Sequence, residues 1–278
     1  MARLLGAYRN VPAADAEALT TVLLAVSDMV CALPWIAELD LNPLLLDATG
    51  AIALDARVVV NPEREKCDAN WSHLAIRPYP ADLESEEILS DGARIHLRPI
   101  RPEDAVMETA FITELSEESR YRRFLSLVRH VTPEMIARFT QIDYDREMAL
   151  IAVPEAPDGR EAIVAVGRYV READPTSAEF GIVVADLWHG RGLAKRLMHR
   201  LMTCARAAGV RELHGLILAS NDPMLALMRD LGFTVEPAPD DPLDVIATKA
   251  LWMRRRSDDP GSGPDDPREP ERRDQQAA

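Results

Sequence analysis

His189-Gly190-Arg191-Gly192-Leu193-Ala194 is the part of this chain whose residue types and spacing are best suited to chemistry. An apolar stretch, Ala178 to Ala185, runs into it, and an amphipathic stretch follows it. Leu193, Leu197 and Leu201, with Ala194, Met198 and Met202, form one helical face, and Lys195, Arg196, His199 and Arg200 lie opposite. The first N–H groups of a helix have no intrahelical partner and the dipole is positive there, so glycines before a helix make an anion site that a phosphate can approach closely. The pattern is not the Gly-x-x-x-x-Gly-Lys-Ser/Thr nucleotide loop, and no such loop occurs elsewhere. On the strand that feeds the loop, Glu179 by its position alone reads as a solvent-facing strand carboxylate.

The surrounding elements follow from periodicity and punctuation. Ile95 to Ile100 reads as a strand, and Arg101-Pro102-Glu103-Asp104 as a helix start, since proline and acids favour a first turn. Thr132-Pro133-Glu134 repeats that signal before Met135 to Ile142. Glu147 to Val153 and Ala162 to Val170 are expected strands around a Pro157-Asp158-Gly159 turn, and Asp174-Pro175 turns the chain into the third, Ala178 to Ala185. A helix over Arg191 to Ala208 is stopped by Gly209. Strand Glu212 to Leu218, helix Asn221 to Leu231 and strand Leu243 to Leu251 complete the series.

Ahead of these lies a region to about Pro62 with a helical pattern over Asp15 to Cys31 and two apolar runs around Thr49-Gly50. The expected division is 1–62, a polar linker 63–91, a main domain 92–252, and a tail 253–278 too poor in apolar residues to order itself.

The chain of 278 residues carries 32 Lys+Arg against 46 Asp+Glu, a net charge of −14, so nucleic acid and anionic membranes are not expected partners. With 47% hydrophobic residues it has material for a sizeable core. The most apolar stretch, Ala18 to Leu46, is broken by Asp28, Pro34, Glu38 and Asp40, so it falls short of the about 20 apolar residues that span a bilayer. Cys31, Cys67 and Cys204 form no CxxC and read as reduced thiols, and no export signal is visible at the N-terminus. A cytoplasmic protein is the expectation.

His189 to Ala194 resembles the pyrophosphate loop, [QR]xxGx[GA], of the GNAT acetyltransferase superfamily, with His in place of Gln or Arg. Leu213 to Phe233 is similar to that superfamily's strand, Asn and helix ending in Gly-Phe. Leu115 to Phe124 and Thr140 to Val153 resemble bacterial protein lysine acetyltransferases of the Pat type, whose acetyltransferase domain follows an ADP-forming acyl-CoA synthetase-like region. Ile36 to Val58 resembles the last part of the ATP-grasp domain in that region, where Asn42 and Asp55 occupy places used for a nucleotide-bound magnesium. The rest of an ATP-grasp is not found upstream, so the resemblance, which covers about Leu4 to Leu251, implies a remnant there.

This resemblance implies an α/β (α+β) GNAT fold: a mixed, mostly antiparallel sheet with flanking helices. It implies acetyl-CoA as co-substrate, no required metal, and direct transfer to an amine in a ternary complex. The donor's pyrophosphate falls to Gly190, Arg191, Gly192, Leu193, Ala194 and Lys195, with His189 at the loop's start. The pantetheine and thioester oxygen fall to Val183, Val184 and Ala185, and Asn221 either lies near the pantetheine or caps the helix ahead of Pro223. Glu179 matches the base position of the Pat type. Freeing a lysine amine at pH 7 costs ~4.6 kcal/mol, so a proton acceptor is required.

Where many members carry a Tyr that protonates the leaving thiolate, this chain has Met228, which cannot donate; His189 and His214 are the remaining donors to consider. Arg120, Arg122, Arg123 and Arg129 read either as a solvated helix face or as a group steering an acidic acceptor protein or touching the CoA phosphate. The expected acceptor is a protein lysine, for example on an acyl-CoA synthetase, with a separate synthetase-like subunit as a partner. The alternatives are a small-molecule amine acceptor and a non-catalytic CoA-sensing remnant.

Overall fold

The computed structural model describes residues 5–7, 12–63, 71, 73–126, 130–156, 159–239 and 241–252. The expected disordered tail, Arg129, Cys67, most of the first half of the expected linker, and Pro157 and Asp158 of an expected turn lie outside the described residues.

The N-terminal part has helix α1 (Ala16–Ala32) and strands β1 (Ile36–Asp40), β2 (Leu44–Asp47), β3 (Gly50–Ala53) and β4 (Arg57–Val60). Strands β2 and β3 form a hairpin that turns at Ala48-Thr49, and β1 pairs antiparallel with β4. Asp15 caps α1 by accepting from the Ala18 N–H. No residue of α1 is buried, and Leu23, Leu24, Ile52 and Val60 stand exposed.

The rest is one sheet of eight strands, in the order β11-β12-β10-β9-β8-β7-β6-β5. These are β5 (Ser85–Ile88), β6 (Arg94–Pro99), β7 (Glu147–Pro154), β8 (Ala165–Arg171), β9 (Ser177–Val184), β10 (Glu212–Leu218), β11 (Thr234–Pro237) and β12 (Asp244–Ala250). Every neighbouring pair is antiparallel except β9 and β10. Helices α2 (Ala105–Glu114), α3 (Glu117–Phe124) and α4 (Pro133–Thr140) join β6 to β7; α5 (Leu193–Ala207) and α6 (Asp222–Asp230) flank β10.

Strand β7 explains the layering. Met148, Leu150 and Ala152 enter one buried cluster with Leu193, Leu197, Met198 and Leu201 of α5, while Ala149, Ile151 and Val153 enter another with Phe111, Ile112 and Ile136 of α2 and α4. A strand covered on both faces is apolar at successive positions, and Met148 to Val153 of β7 are. The anticipated fold class is the one observed.

Several boundaries differ from the expectations, and each has a local cause. Helix α5 begins at Leu193 because Gly192, at φ +78°, is its N-cap. The last part of the expected linker is an edge strand: β5 pairs with β6, and Glu87 forms an ion pair at 2.7 Å with Arg196 of α5. Neither β5 nor β11 carries enough apolar residues to reveal itself by periodicity. Helix α3 is also weakly patterned, and is set by Ser116, which accepts from the Ser119 N–H at 3.1 Å.

Candidate active site

Strands β9 and β10 run side by side for three residue pairs, Ser177 to Glu179 against Glu212 to His214, and then part. Phe180 holds them open. Its ring lies over Gly215, where an added Cβ would sit 2.8 Å from two ring carbons, and it packs on Phe233 with centroids 5.2 Å apart. Only a glycine at 215 leaves room for that ring. The parting opens a cleft of about 680 Å³.

Glu179 stands at one end of the cleft, exposed, in register with Val170 on one side and His214 on the other. At the far end lie His189, Gly190, Gly192 and the first residues of α5, Leu193, Ala194 and Lys195. Gly190 and Gly192 have φ of +76° and +78°, and no protein atom lies within 4 Å of where their Cβ atoms would be. The N–H groups of Leu193, Ala194 and Lys195 belong to a first turn and have no intrahelical partner. The loop is therefore open ground in front of a helix N-terminus, as an anion requires.

One anticipated role changes. Ala185 is not on the cleft wall, and its N–H donates to the Val164 carbonyl at 2.8 Å, so it is not free for a ligand. The Arg191 side chain leaves the cleft: it pairs with Asp91 at 2.9 Å, donates to the Leu187 carbonyl and lies 4.4 Å over the Trp188 ring. Val183 and Val184 line the cleft, and the Val184 carbonyl accepts from His189. Lys195 also lines it, its ammonium 2.6 Å from Asp230. Asn221 caps α6 by accepting from the Met224 N–H at 3.3 Å while still lining the cleft.

Met228 is fully buried in the core; on α6 it is Met224 and Leu227 that line the cleft. No proton donor stands on that stretch. Nor is His214 on the cleft wall: it lies against Ser177 and Glu172.

Helix α3 supplies the remaining wall through Ser119, Arg122, Arg123 and Phe124. Asp186, just after β9, fixes its first turn by accepting from the Ser116 N–H at 3.0 Å and from the Ser116 and Ser119 hydroxyls at 2.9 and 2.7 Å. Burial pushes the Asp186 carboxyl up, but these bonds outweigh it and hold it below the ordinary range. Sequence reading singled out the arginines of α3 without placing them. It missed Asp186 and Phe180, whose roles are long-range and leave no local pattern.

Residues 94–234 match a family profile described as an acetyltransferase (GNAT) domain, and residues 1–60 one described as an ATP-grasp domain. An acetyltransferase of Pseudomonas aeruginosa, PA5475, is 34% identical over 165 residues, covering 59% of this chain and 88% of that one. The acetyltransferase Pat of Mycolicibacterium smegmatis is 30% identical over 158 residues; the match takes in 56% of this chain and 44% of Pat. Among solved structures, the GNAT domain of S. lividans PAT superposes with a TM-score of 0.56 at 28% identity, over 62% of this chain and 99% of that domain.

Proposed function

We propose that this chain, which belongs to the GNAT acetyltransferase family, moves an acetyl group from acetyl-CoA to a lysine side chain of a protein. The observation that carries the reading is the cleft between β9 and β10, with an anion-ready helix start at one end and an exposed carboxylate, Glu179, at the other. The lysine acceptor is supported by the resemblance of Leu115 to Phe124 and Thr140 to Val153 to protein lysine acetyltransferases of the Pat type.

The first-turn N–H groups of α5 receive the donor's pyrophosphate, with Gly190 and Gly192 giving it close approach. The edge of β9 at Val183 and Val184 holds the extended arm and its thioester oxygen. Acetyl-CoA supplies the activated acyl group. The acceptor nitrogen forms its bond to the acyl carbon, the carbon–sulfur bond breaks, and Glu179 takes the amine proton. With Met224 and Leu227 on the facing helix, the departing thiolate takes its proton from water.

The catalytic unit extends back to include β5, since that strand belongs to the same sheet. The stretch matching an ATP-grasp domain acts as a packing unit, and its exposed apolar side chains suit a synthetase-like partner.

The test is Glu179→Gln, which keeps shape and polarity but accepts no proton near neutral pH. Transfer from labelled acetyl-CoA to lysate proteins, with the modified lysines mapped, should fall ~10²–10⁴-fold while acetyl-CoA affinity is unchanged. Wild-type turnover in the folded variant removes Glu179 as the base. Labelling confined to small amines removes the protein acceptor.

A further inference from the structure

The cations on the cleft wall are engaged, with one exception. Arg122 pairs with Glu118 at 2.5 Å and Lys195 with Asp230 at 2.6 Å. Arg123 lines the same wall, half-buried, and among the described residues no hydrogen bond or ion pair reaches its guanidinium. Its nearest aromatic neighbour is the Phe124 ring, 5.3 Å away at the centroid. A cation drawn partly out of water without a bonded partner costs free energy and asks for a reason.

The fold makes room for it beside the reacting centre. On β9, Phe180, Ile182 and Val184 face the core under α5, so Glu179, Gly181 and Val183 share the other face. The Arg123 guanidinium rests on Gly181, so close that an added Cβ there would meet Cζ and Nη1 at 2.9 Å. Helix α3 is held in place for this by the bonds of Ser116 and Ser119 to Asp186. Glu108 and Glu179 act on the cation through space, and neither closes a bond with it. Glu108, on α2, is 4% exposed, and among the described residues its Oε2 has no hydrogen-bond partner. Burial pushes its carboxyl up to about 7, so near neutral pH it offers only part of a charge. Arg168 on β8, opposite Gly181, is a second cation that repels the first; its own guanidinium donates to the Phe139 carbonyl and lies 3.7 Å from Glu147.

What Arg123 lacks is an acceptor for its N–H groups, and the planar fork of a guanidinium matches a carboxylate. The contacts proposed for the donor lie on β9, the glycine loop and α5, and none is on α3, so this wall falls to the acceptor. Gly181 stands between Glu179 and Val183, about 7 Å along the strand from each, so a group held on Arg123 lies next to the amine.

We propose that Arg123 selects the acceptor: its guanidinium takes a carboxylate carried beside the attacking amine, so the lysines preferred are those with an Asp or Glu within two residues. The inference rests on the reading of the Glu179 end as the place where the amine is acetylated. Arg123 makes and breaks no covalent bond. An acid on it also offsets the repulsion it would exert on an incoming ammonium.

The test compares, with the full chain and acetyl-CoA, two peptides that carry Glu or Gln at the second position on both sides of a single lysine. The Glu peptide should have the higher kcat/KM by about tenfold, the worth of one charge-assisted pair, and Arg123→Gln should bring the ratio near one. Arg123→Lys, which keeps the charge and loses the fork, should fall between. Gly181→Ala occupies the guanidinium's place, so it should lower the ratio even if Arg123→Gln fails to fold. Equal kcat/KM for the two peptides in the wild type, or a ratio that survives in folded Arg123→Gln, overturns the proposal.

Further arms fix the source of the carboxylate. A wild-type preference for succinyl-CoA over acetyl-CoA that Arg123→Gln abolishes would place the carboxylate on the donor and overturn the acceptor assignment. If neither peptide is acetylated, the protein acceptor fails by itself, and free lysine is compared with its carboxamide. A preference for the acid that Arg123→Gln abolishes then supports the role of Arg123, and equal rates overturn it. Absence of turnover with every amine overturns both readings.

Discussion

The Nε2 of His189 lies 2.9 Å from the carbonyl oxygen of Val184. A carbonyl only accepts, so the ring donates there, and the side chain ties the start of the glycine loop to the last residue of β9. The place where a Gln or Arg is usual thus holds a brace between the loop and the strand that line the cleft.

Removing that brace should loosen the loop without unfolding the protein. His189→Ala is expected to weaken acetyl-CoA binding ~5–10-fold, the worth of one hydrogen bond of about 1 kcal/mol. Calorimetry giving an unchanged affinity would assign the interaction to packing alone.

Gly192→Val should abolish donor binding. The backbone at φ +78° is strained for a branched side chain, and the added atoms would stand in the open ground before the first turn of α5. Normal affinity in a folded variant would take this loop out of the donor site.

The boundary of the catalytic unit can be tested by truncation. Arg77 pairs with Asp145 at 2.6 Å, and its N–H donates to the Asp143 carbonyl. Glu87 faces Arg196 and Arg200, and Asp91 faces Arg191. A chain starting at Arg77 should keep its acetyl-CoA affinity; one starting at Arg94, where the family match begins, should lose stability and bind more weakly. Equal melting temperatures for the two chains would show that β5 is dispensable.

Glu108 should also make stability depend on pH. Its folded carboxyl titrates near 7, above the ordinary 4.5. Between those values the folded chain holds a proton that the unfolded chain has lost, so this group's stabilising contribution is full below about pH 4.5 and falls as pH rises to about 7. Relative to wild type, Glu108→Gln should therefore gain stability between pH 5 and pH 8, by up to ~3 kcal/mol. Urea unfolding at both values measures it, and a constant difference would mean that Glu108 titrates normally.

Those parts of the fold that rest on local rules were legible in the residues. Thr132 caps α4 by accepting from the Met135 N–H, and the buried face of α5 is the one its apolar spacing describes. Gly209 stops that helix at φ +86°. The glycine loop before α5 was legible because glycines follow an apolar strand in sequence, and Glu179 was singled out by its match to the Pat-type base position. The parting at Phe180 and Gly215 was not, since it depends on two strands meeting. Glu108 also looked like any exposed helix glutamate, and Arg123 like one of a solvated run. What made them otherwise is the approach of β8 and β9 from more than forty residues away.

Past Glu179 and His214 the facing edges of β9 and β10 no longer answer each other's backbone groups. An extended ligand that enters between them takes the place of a strand, and its binding free energy is added to that of the fold. At a hundred times its Kd such a ligand raises stability by about 2.7 kcal/mol. Occupancy and resistance to unfolding then become the same quantity measured in two ways. The lifetime of this chain among proteases would rise and fall with the concentration of what the cleft binds, making its abundance a slow record of supply.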